Sequence, residues 1–286
     1  MQELEETKSI ERRGWAANFF VREDQTYDAW ERTCRPNSAF AKSLYLVMYI
    51  LPGLVAALAI NVRPLFEAEL RVTHLSPRYL QLAWLLFVTF GWHMLSPFLL
   101  LRSSDRLSFR QSLLFLGLNR IDLRGLLLVL PIFCAAFALV SVPYMEFVWV
   151  PLRRVCQSVP LFHIPAWSIF GGDPKGFYAF PPFALLLLFI GNFLGEELYF
   201  RGYLMKKSSF LGGANWVVNS WLFALYHLWQ IPQTWPAIGL IFAFGLLMRL
   251  RKDLYVLVAF HLFVNMWLMY GESPLARLLH LHAKRF

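Results

Sequence analysis

The sequence predicts an all-α fold, a polytopic bundle of about seven transmembrane helices that encloses a polar cavity. Hydrophobic residues make up 58% of the 286 residues and the mean hydropathy is +0.48, whereas soluble proteins are roughly 45–50% apolar. Several apolar stretches reach the length of about 20 residues that a helix needs to cross a bilayer. Charged residues, proline and glycine bound these stretches. The pattern indicates an integral membrane protein and argues against a soluble domain.

We place seven apolar spans, and the sixth of them is short for a full crossing. They lie at residues 43–62, 79–101, 125–148, 182–203, 214–231, 236–248 and 254–270. The first 42 residues are polar and mixed in charge, so we expect the first span, and not a cleaved signal peptide, to direct insertion. We therefore divide the chain into a polar cytoplasmic segment (1–42), two transmembrane helices (43–109), a catalytic transmembrane core (110–270) and a short tail (271–286).

The basic residues predict the orientation of the bundle. Of the 27 Lys and Arg residues, 18 fall on the side of the N-terminus and 9 on the other side when loops are taken alternately. The positive-inside rule then places the N-terminus in the cytoplasm of a multi-pass protein of the cell inner (plasma) membrane. The net charge of +9 is spread over short loops, so we expect contact with membrane lipids and no nucleic-acid partner. The segment 15–30 carries two phenylalanines among charges and is interpreted as a solvated tail, with a surface-lying helix as the alternative.

Three of the last four spans contain ionisable residues, which are costly in a membrane and need a partner, a watery cavity or a function. Glu196 and Glu197 lie roughly 15 Å from the cytoplasmic end of their span at 1.5 Å per residue. His227 lies roughly 20 Å, His261 roughly 14 Å and Asn265 roughly 20 Å from the same side. These similar depths predict that the five residues converge on one polar cavity.

Helical spacing separates their roles. Glu197 and Arg201 are four residues apart on one face, where they can form an ion pair. Glu196 points about 100° away from that face and is free to approach His227. A Glu and a His that share a water can activate it as a nucleophile, and His261 with Asn265, again four residues apart, can donate hydrogen bonds to an oxyanion.

Each residue also has a structural interpretation. The pair of Glu197 and Arg201 is more often structural than catalytic, and a lone intramembrane histidine often joins two helices. His93 stands alone in the second span, so we assign it to packing. Asn192 and Asn219 precede Glu196 and His227 by one and about two turns, where either can support the site or pack between helices.

The polar residues resemble the three signatures of the CAAX protease and bacteriocin-processing (CPBP, or ABI) family of intramembrane peptidases. These signatures are EExxxR, FxxxH and HxxxN or HxxxD, and here they read Glu196 to Arg201, Phe223 to His227, and His261 to Asn265. Each pattern is weak alone, but three in order on successive apolar helices are specific. With the stretch LGLNRIDLRG before the third span, the resemblance covers roughly residues 110 to 270.

The resemblance implies a glutamate-type intramembrane endopeptidase with a helical core around a catalytic cavity. Glu196 and His227 would activate the water, His261 and Asn265 would stabilise the oxyanion, and Glu197 and Arg201 would support them. We expect no metal and no cofactor, although two His and a Glu leave zinc possible. The expected partner is a peptide or membrane-protein substrate that is membrane-associated, lipidated or marked by a C-terminal signal. The alternatives are a non-catalytic membrane scaffold, a bacteriocin immunity factor or a transport accessory protein, and a seven-helix receptor or transporter.

Overall fold

A computed structural model describes residues 15–33, 36–158, 180–230 and 239–269 of the chain. These residues form eleven helices and no strand, which agrees with the predicted all-α class. The predicted tail at 271–286 and the span ends at 231, 236–238 and 270 lie outside them. The helices are α1 Trp15–Phe20, α2 Gln25–Thr33, α3 Ala39–Asn61, α4 Arg63–Thr73, α5 Pro77–Ser103, α6 Phe109–Leu116, α7 Gly125–Ser158, α8 Pro182–Lys207, α9 Asn215–Tyr226, α10 Phe242–Arg251 and α11 Leu254–Met269.

Four of the described helices, α3, α5, α7 and α8, are long and apolar enough to cross a membrane. They contain 23, 27, 34 and 26 residues, and each includes one of the predicted spans. Helices α9, α10 and α11 are shorter, with 12, 10 and 16 residues, so their length alone does not make them full crossings. The described helices indicate a multi-pass membrane protein with four candidate spans, and they do not extend that number to seven.

Helix α8 packs directly against α5 through two glycines that are four residues apart. A Cβ atom added to Gly191 would lie 2.8 Å from the backbone nitrogen of Phe90, and one added to Gly195 would lie 2.7 Å from the carbonyl oxygen of Thr89. Both helices widen into π-helical turns at this contact, at Phe87–Leu95 in α5 and at Gly191–Gly195 in α8. Small residues allow such close approach between membrane helices, so the glycines fix the spacing of α5 and α8.

The N-terminal helices pack on the bundle, so the expectation of a solvated tail is wrong. The Tyr27 side chain is only 6% exposed and belongs to the same apolar cluster as α10 and α11. The Phe20 ring meets that of Phe133 edge to face, with 6.5 Å between ring centroids. Arg22 donates a backbone hydrogen bond to the carbonyl of Leu250 at 2.8 Å and pairs with Asp253 at 2.9 Å. The charges that suggested solvation are instead paired with charges of the bundle.

Charged residues from distant parts of the chain meet at one end of the bundle. Asp24 pairs with Arg120 at 2.6 Å, and Asp122 pairs with Arg251. Lys207, at the end of α8, pairs with an aspartate just after α5, and Lys252, at the end of α10, pairs with one in α2. The basic ends of α8 and α10 therefore lie on the same side of the bundle, as the sequence suggested.

Candidate active site

The paired glutamates lie where the geometry of α8 is irregular. Glu196 and Glu197 sit between two π-helical turns, Gly191–Gly195 and Leu198–Leu204. Such turns are rare and occur often at functional sites, because the extra residue per turn redirects the side chains that follow. Both carboxylates are buried, at 2% and 0% exposure. The sequence therefore brings two acidic groups into the interior of the bundle side by side.

Glu197 and Arg201 form an ion pair inside the protein. The Nη1 atom of Arg201 lies 3.3 Å from Oε1 of Glu197, and neither side chain is exposed. The Arg201 guanidinium also lies 3.9 Å from the centroid of the Phe223 ring and 5.3 Å from that of Phe244. Aromatic faces attract a cation electrostatically. Arg201 thus joins α8 to both α9 and α10 while it offsets the charge of Glu197.

Glu196 is turned away from Arg201 and towards α9 and α11. Its Oε1 atom accepts a hydrogen bond of 3.2 Å from the hydroxyl of Tyr226, the residue that precedes His227. Its Oε2 atom lies 4.0 Å from Nε2 of His261. The two carboxylates therefore have different surroundings, because Glu197 faces a cation and Glu196 faces a hydroxyl and an imidazole.

His227 lies where α9 ends and its tautomer follows from its contacts. The α-helix stops at Tyr226, and His227 begins a single 3₁₀ turn. The Nδ1 atom lies 2.8 Å from the carbonyl oxygen of Phe223. Because a carbonyl oxygen only accepts, Nδ1 carries the proton, and in the neutral ring Nε2 keeps a lone pair.

His261 lies between the two glutamates. Its Nδ1 atom is 3.0 Å from Oε1 of Glu197, while Nε2 faces Glu196 at 4.0 Å. The rings of Phe193 and Phe244 flank the imidazole with centroids at 5.1 and 5.3 Å. The contact with Glu197 was not foreseen, since helical spacing had paired His261 only with the residue one turn later.

Asn265 lies one turn after His261 in α11 and is partly exposed. Within the described part of the chain its amide has no hydrogen-bond partner. Asn219, which the sequence left undecided, donates hydrogen bonds to the Tyr49 hydroxyl at 2.7 Å and the Phe200 carbonyl at 3.0 Å. Asn219 thus joins α9 to α3 and α8, and its role is in packing.

The candidate site contains histidine and glutamate side chains, which are residue types that bind zinc in other proteins. Among the described residues no group of three or more His, Cys, Asp or Glu side chains is arranged to hold a metal ion. His227 uses one ring nitrogen for the Phe223 carbonyl, and His261 faces the two glutamates with both of its nitrogens. The mechanism proposed below uses no metal, and chelation of the purified protein tests that expectation.

One residue at the site, Tyr226, was missed by sequence reasoning. Tyr226 binds Glu196, and its position directly before a candidate histidine was the only signal in the sequence. His93, which the sequence assigned to packing, has its ring centroid 5.1 Å from that of Tyr226. Nothing local to α5 reveals this contact, because Tyr226 belongs to α9 and the contact depends on how α5 and α9 pack.

Comparison with known families supports the resemblance that the three motifs indicated. Residues 178–267 match the family model described as Type II CAAX prenyl endopeptidase Rce1-like. The match includes all six candidate residues from Glu196 to Asn265 and begins later than the resemblance inferred from residue 110. No curated protein and no solved structure matches the chain. Over residues 178–267, the chain therefore carries a domain of the Rce1-like family of type II CAAX prenyl endopeptidases.

Proposed function

We propose that this protein is an intramembrane endopeptidase that uses a water activated by Glu196 and His227. Its substrate would be membrane-associated, lipidated or marked by a C-terminal signal, and the peptide bond cut would lie near the membrane. The observation that carries the proposal is the position of the Glu196 carboxylate. It is buried, one oxygen accepts from Tyr226 and the other faces His261, within a domain of a peptidase family.

In the proposed reaction the water lies between Glu196 and Nε2 of His227. Glu196 accepts a proton from the water as the water oxygen bonds to the carbonyl carbon of the scissile peptide. His261 and Asn265 donate hydrogen bonds to the oxyanion that forms. The carbon–nitrogen bond then breaks, and the proton held by Glu196 passes to the departing amine. The products are a carboxylic acid and an amine, and Glu196 returns to its starting state.

The hydrogen bond from Tyr226 supports different roles for the two carboxylate oxygens of Glu196. Oε1 is occupied by the tyrosine hydroxyl at 3.2 Å, which leaves Oε2 for the proton of the water. Glu197 is unsuited to the same task, because its Oε1 atom faces both Arg201 and His261. A carboxylate held by a cation is a weaker proton acceptor than one that faces neutral groups. The proposal therefore assigns the base to Glu196 and a supporting role to Glu197.

The test is hydrolysis of a prenylated CAAX peptide by purified protein. Glu196→Gln keeps the size of the side chain but removes its capacity to accept a proton, so turnover should fall by at least about 10²–10⁴-fold. Glu67→Gln is the matched control, because Glu67 is half exposed and pairs with Arg63 on α4. That variant should keep full activity.

Three outcomes would contradict the proposal. Undiminished hydrolysis by Glu196→Gln would show that this carboxylate is not the base. Full biological function of Glu196→Gln in cells would favour the non-catalytic scaffold. Exhaustive chelation should leave the wild-type activity intact, and its loss with recovery on added zinc would replace the glutamate mechanism by a metal-dependent one.

A further inference from the structure

His93 is a buried polar residue for which the proposed reaction has no role. The side chain is completely buried in α5, and neither ring nitrogen has a hydrogen-bond partner among the described residues. A neutral imidazole carries one donor and one acceptor, and leaving both unpaired away from water costs free energy. By contrast Thr89, one turn earlier, donates to the carbonyl of Leu85 at 2.8 Å. An apolar side chain would therefore be more stable at position 93 unless the imidazole binds something.

The ring of His93 lies among three aromatic side chains. Its centroid is 5.2 Å from Tyr199, 5.3 Å from Phe200 and 5.1 Å from Tyr226. The Tyr199 hydroxyl is already engaged, because it donates to the carbonyl of Met48 at 2.7 Å. The rings exclude bulk solvent from His93 on these sides and supply no strong acceptor for its N–H group.

The remaining surroundings of His93 belong to the candidate active site. Its Cβ atom would lie 3.4 Å from a Cβ added to Gly195, the residue immediately before Glu196. Tyr226, which packs against the His93 ring, donates its hydroxyl to Glu196. His93 therefore lies on the α5 side of the residues that are proposed to activate water.

We propose that His93 is a positioning residue of the hydrolytic site, where it holds a water next to Glu196. This inference rests on the proposed peptidase function. A buried water typically makes about three hydrogen bonds to polar groups, and the imidazole, the Glu196 carboxylate and the Tyr226 hydroxyl supply these groups. The competing interpretation is packing, in which the imidazole N–H only points at an aromatic face.

The experiment replaces His93 by side chains that separate shape from hydrogen bonding. His93→Phe keeps a flat ring but has no polar atom, whereas His93→Asn and His93→Gln place an amide near Nδ1 and Nε2, respectively. We expect kcat on a prenylated peptide to fall about 10- to 100-fold in His93→Phe, since a lost buried hydrogen bond has an effect of this order, with KM unchanged. At least one amide variant should recover about 10-fold or more over the Phe variant.

The matched control is Gln81→Leu, which removes another completely buried polar side chain from α5, twelve residues earlier. It should affect thermal stability and leave kcat unchanged. If His93→Phe does not fold, His93→Leu takes its place as the apolar variant. If neither apolar variant folds, His93 is a structural residue and the proposal fails.

The outcomes distinguish this proposal from the proposed function. An inactive wild-type protein, or an active Glu196→Gln variant, would refute the peptidase function itself. An active wild type with an inactive Glu196→Gln variant and a fully active His93→Phe variant would overturn only the role of His93. Equal loss in the Phe, Asn and Gln variants would also overturn it, because it would show that the ring packs and does not bind water.

Discussion

Removing one charge of the buried pair formed by Glu197 and Arg201 should strongly destabilise the protein. Arg201→Met removes the positive charge but keeps a long apolar side chain against Phe223, which leaves Glu197 as a buried anion. Two unit charges 3.3 Å apart interact with about 5 kcal/mol at an effective dielectric constant of about 20. Removal of one partner from a buried pair costs about 3–5 kcal/mol. In a domain of this size that cost lowers the melting temperature by about 6–20 °C.

The measurement is a double-mutant cycle on detergent-purified protein. The variants are Arg201→Met, Glu197→Gln and the two together, and the readout is thermal unfolding followed by tryptophan fluorescence. The double variant has no unpaired charge, so it should be more stable than Arg201→Met alone by about 2 kcal/mol or more. If instead the effects of the two single changes on the free energy of unfolding add to within about 0.5 kcal/mol, Glu197 and Arg201 do not stabilise each other as a buried ion pair. If the Arg201→Met variant is inactive but as thermally stable as wild type, Arg201 binds the substrate or takes part in the reaction, and its assignment to a structural ion pair is wrong.

Three further predictions follow from individual contacts. Asn265→Ala should lower kcat about 10²–10³-fold through loss of an oxyanion donor, with an unchanged melting temperature; an unchanged kcat would remove Asn265 from the site. Gly195→Ala should lower both stability and turnover, because its Cβ atom would lie 2.7 Å from a carbonyl oxygen of α5. The control is Gly213→Ala, which should change neither, because the added atom meets nothing within 4 Å. Although burial raises the pKa of the Asp24 carboxyl, a backbone hydrogen bond and the pairing with Arg120 hold it below its usual value. The stabilisation from Asp24 is therefore present at neutral pH and lost as the pH falls through that lowered pKa, and Asp24→Asn should remove this part of the acid sensitivity of unfolding.

Hydrophobicity along the sequence predicted the long helices of the fold. Four long apolar stretches became α3, α5, α7 and α8, since only a helix satisfies the backbone within a membrane. The end of α9 was not predictable in the same way, because the apolar pattern continues past Tyr226 while the α-helix stops there. The packing of Tyr27 was also missed, because a short charged segment carries no sign of the distant charges that pair with it.

The candidate site was predictable where spacing along one helix decides geometry. Glu197 and Arg201 are four residues apart and lie in contact, as the period of the helix requires. The contact of His261 with Glu197 depends instead on the rotation of α11 against α8, which no single helix encodes. His93 illustrates the same limit, because its neighbours become visible only when the contact at Gly195 is known.

The close contact of α5 with α8 limits the directions from which Glu196 can be reached. At Gly191 and Gly195 backbone meets backbone, with distances below 3 Å for any added Cβ atom. An extended polypeptide needs about 4.7–4.9 Å between its backbone and that of a neighbouring strand. A polypeptide therefore cannot pass between α5 and α8 at these two glycines. The other flank of α8 faces α9 and α11, which carry His227, His261 and Asn265. For the proposed peptidase, a substrate would therefore approach Glu196 from that flank of α8 and not between α5 and α8.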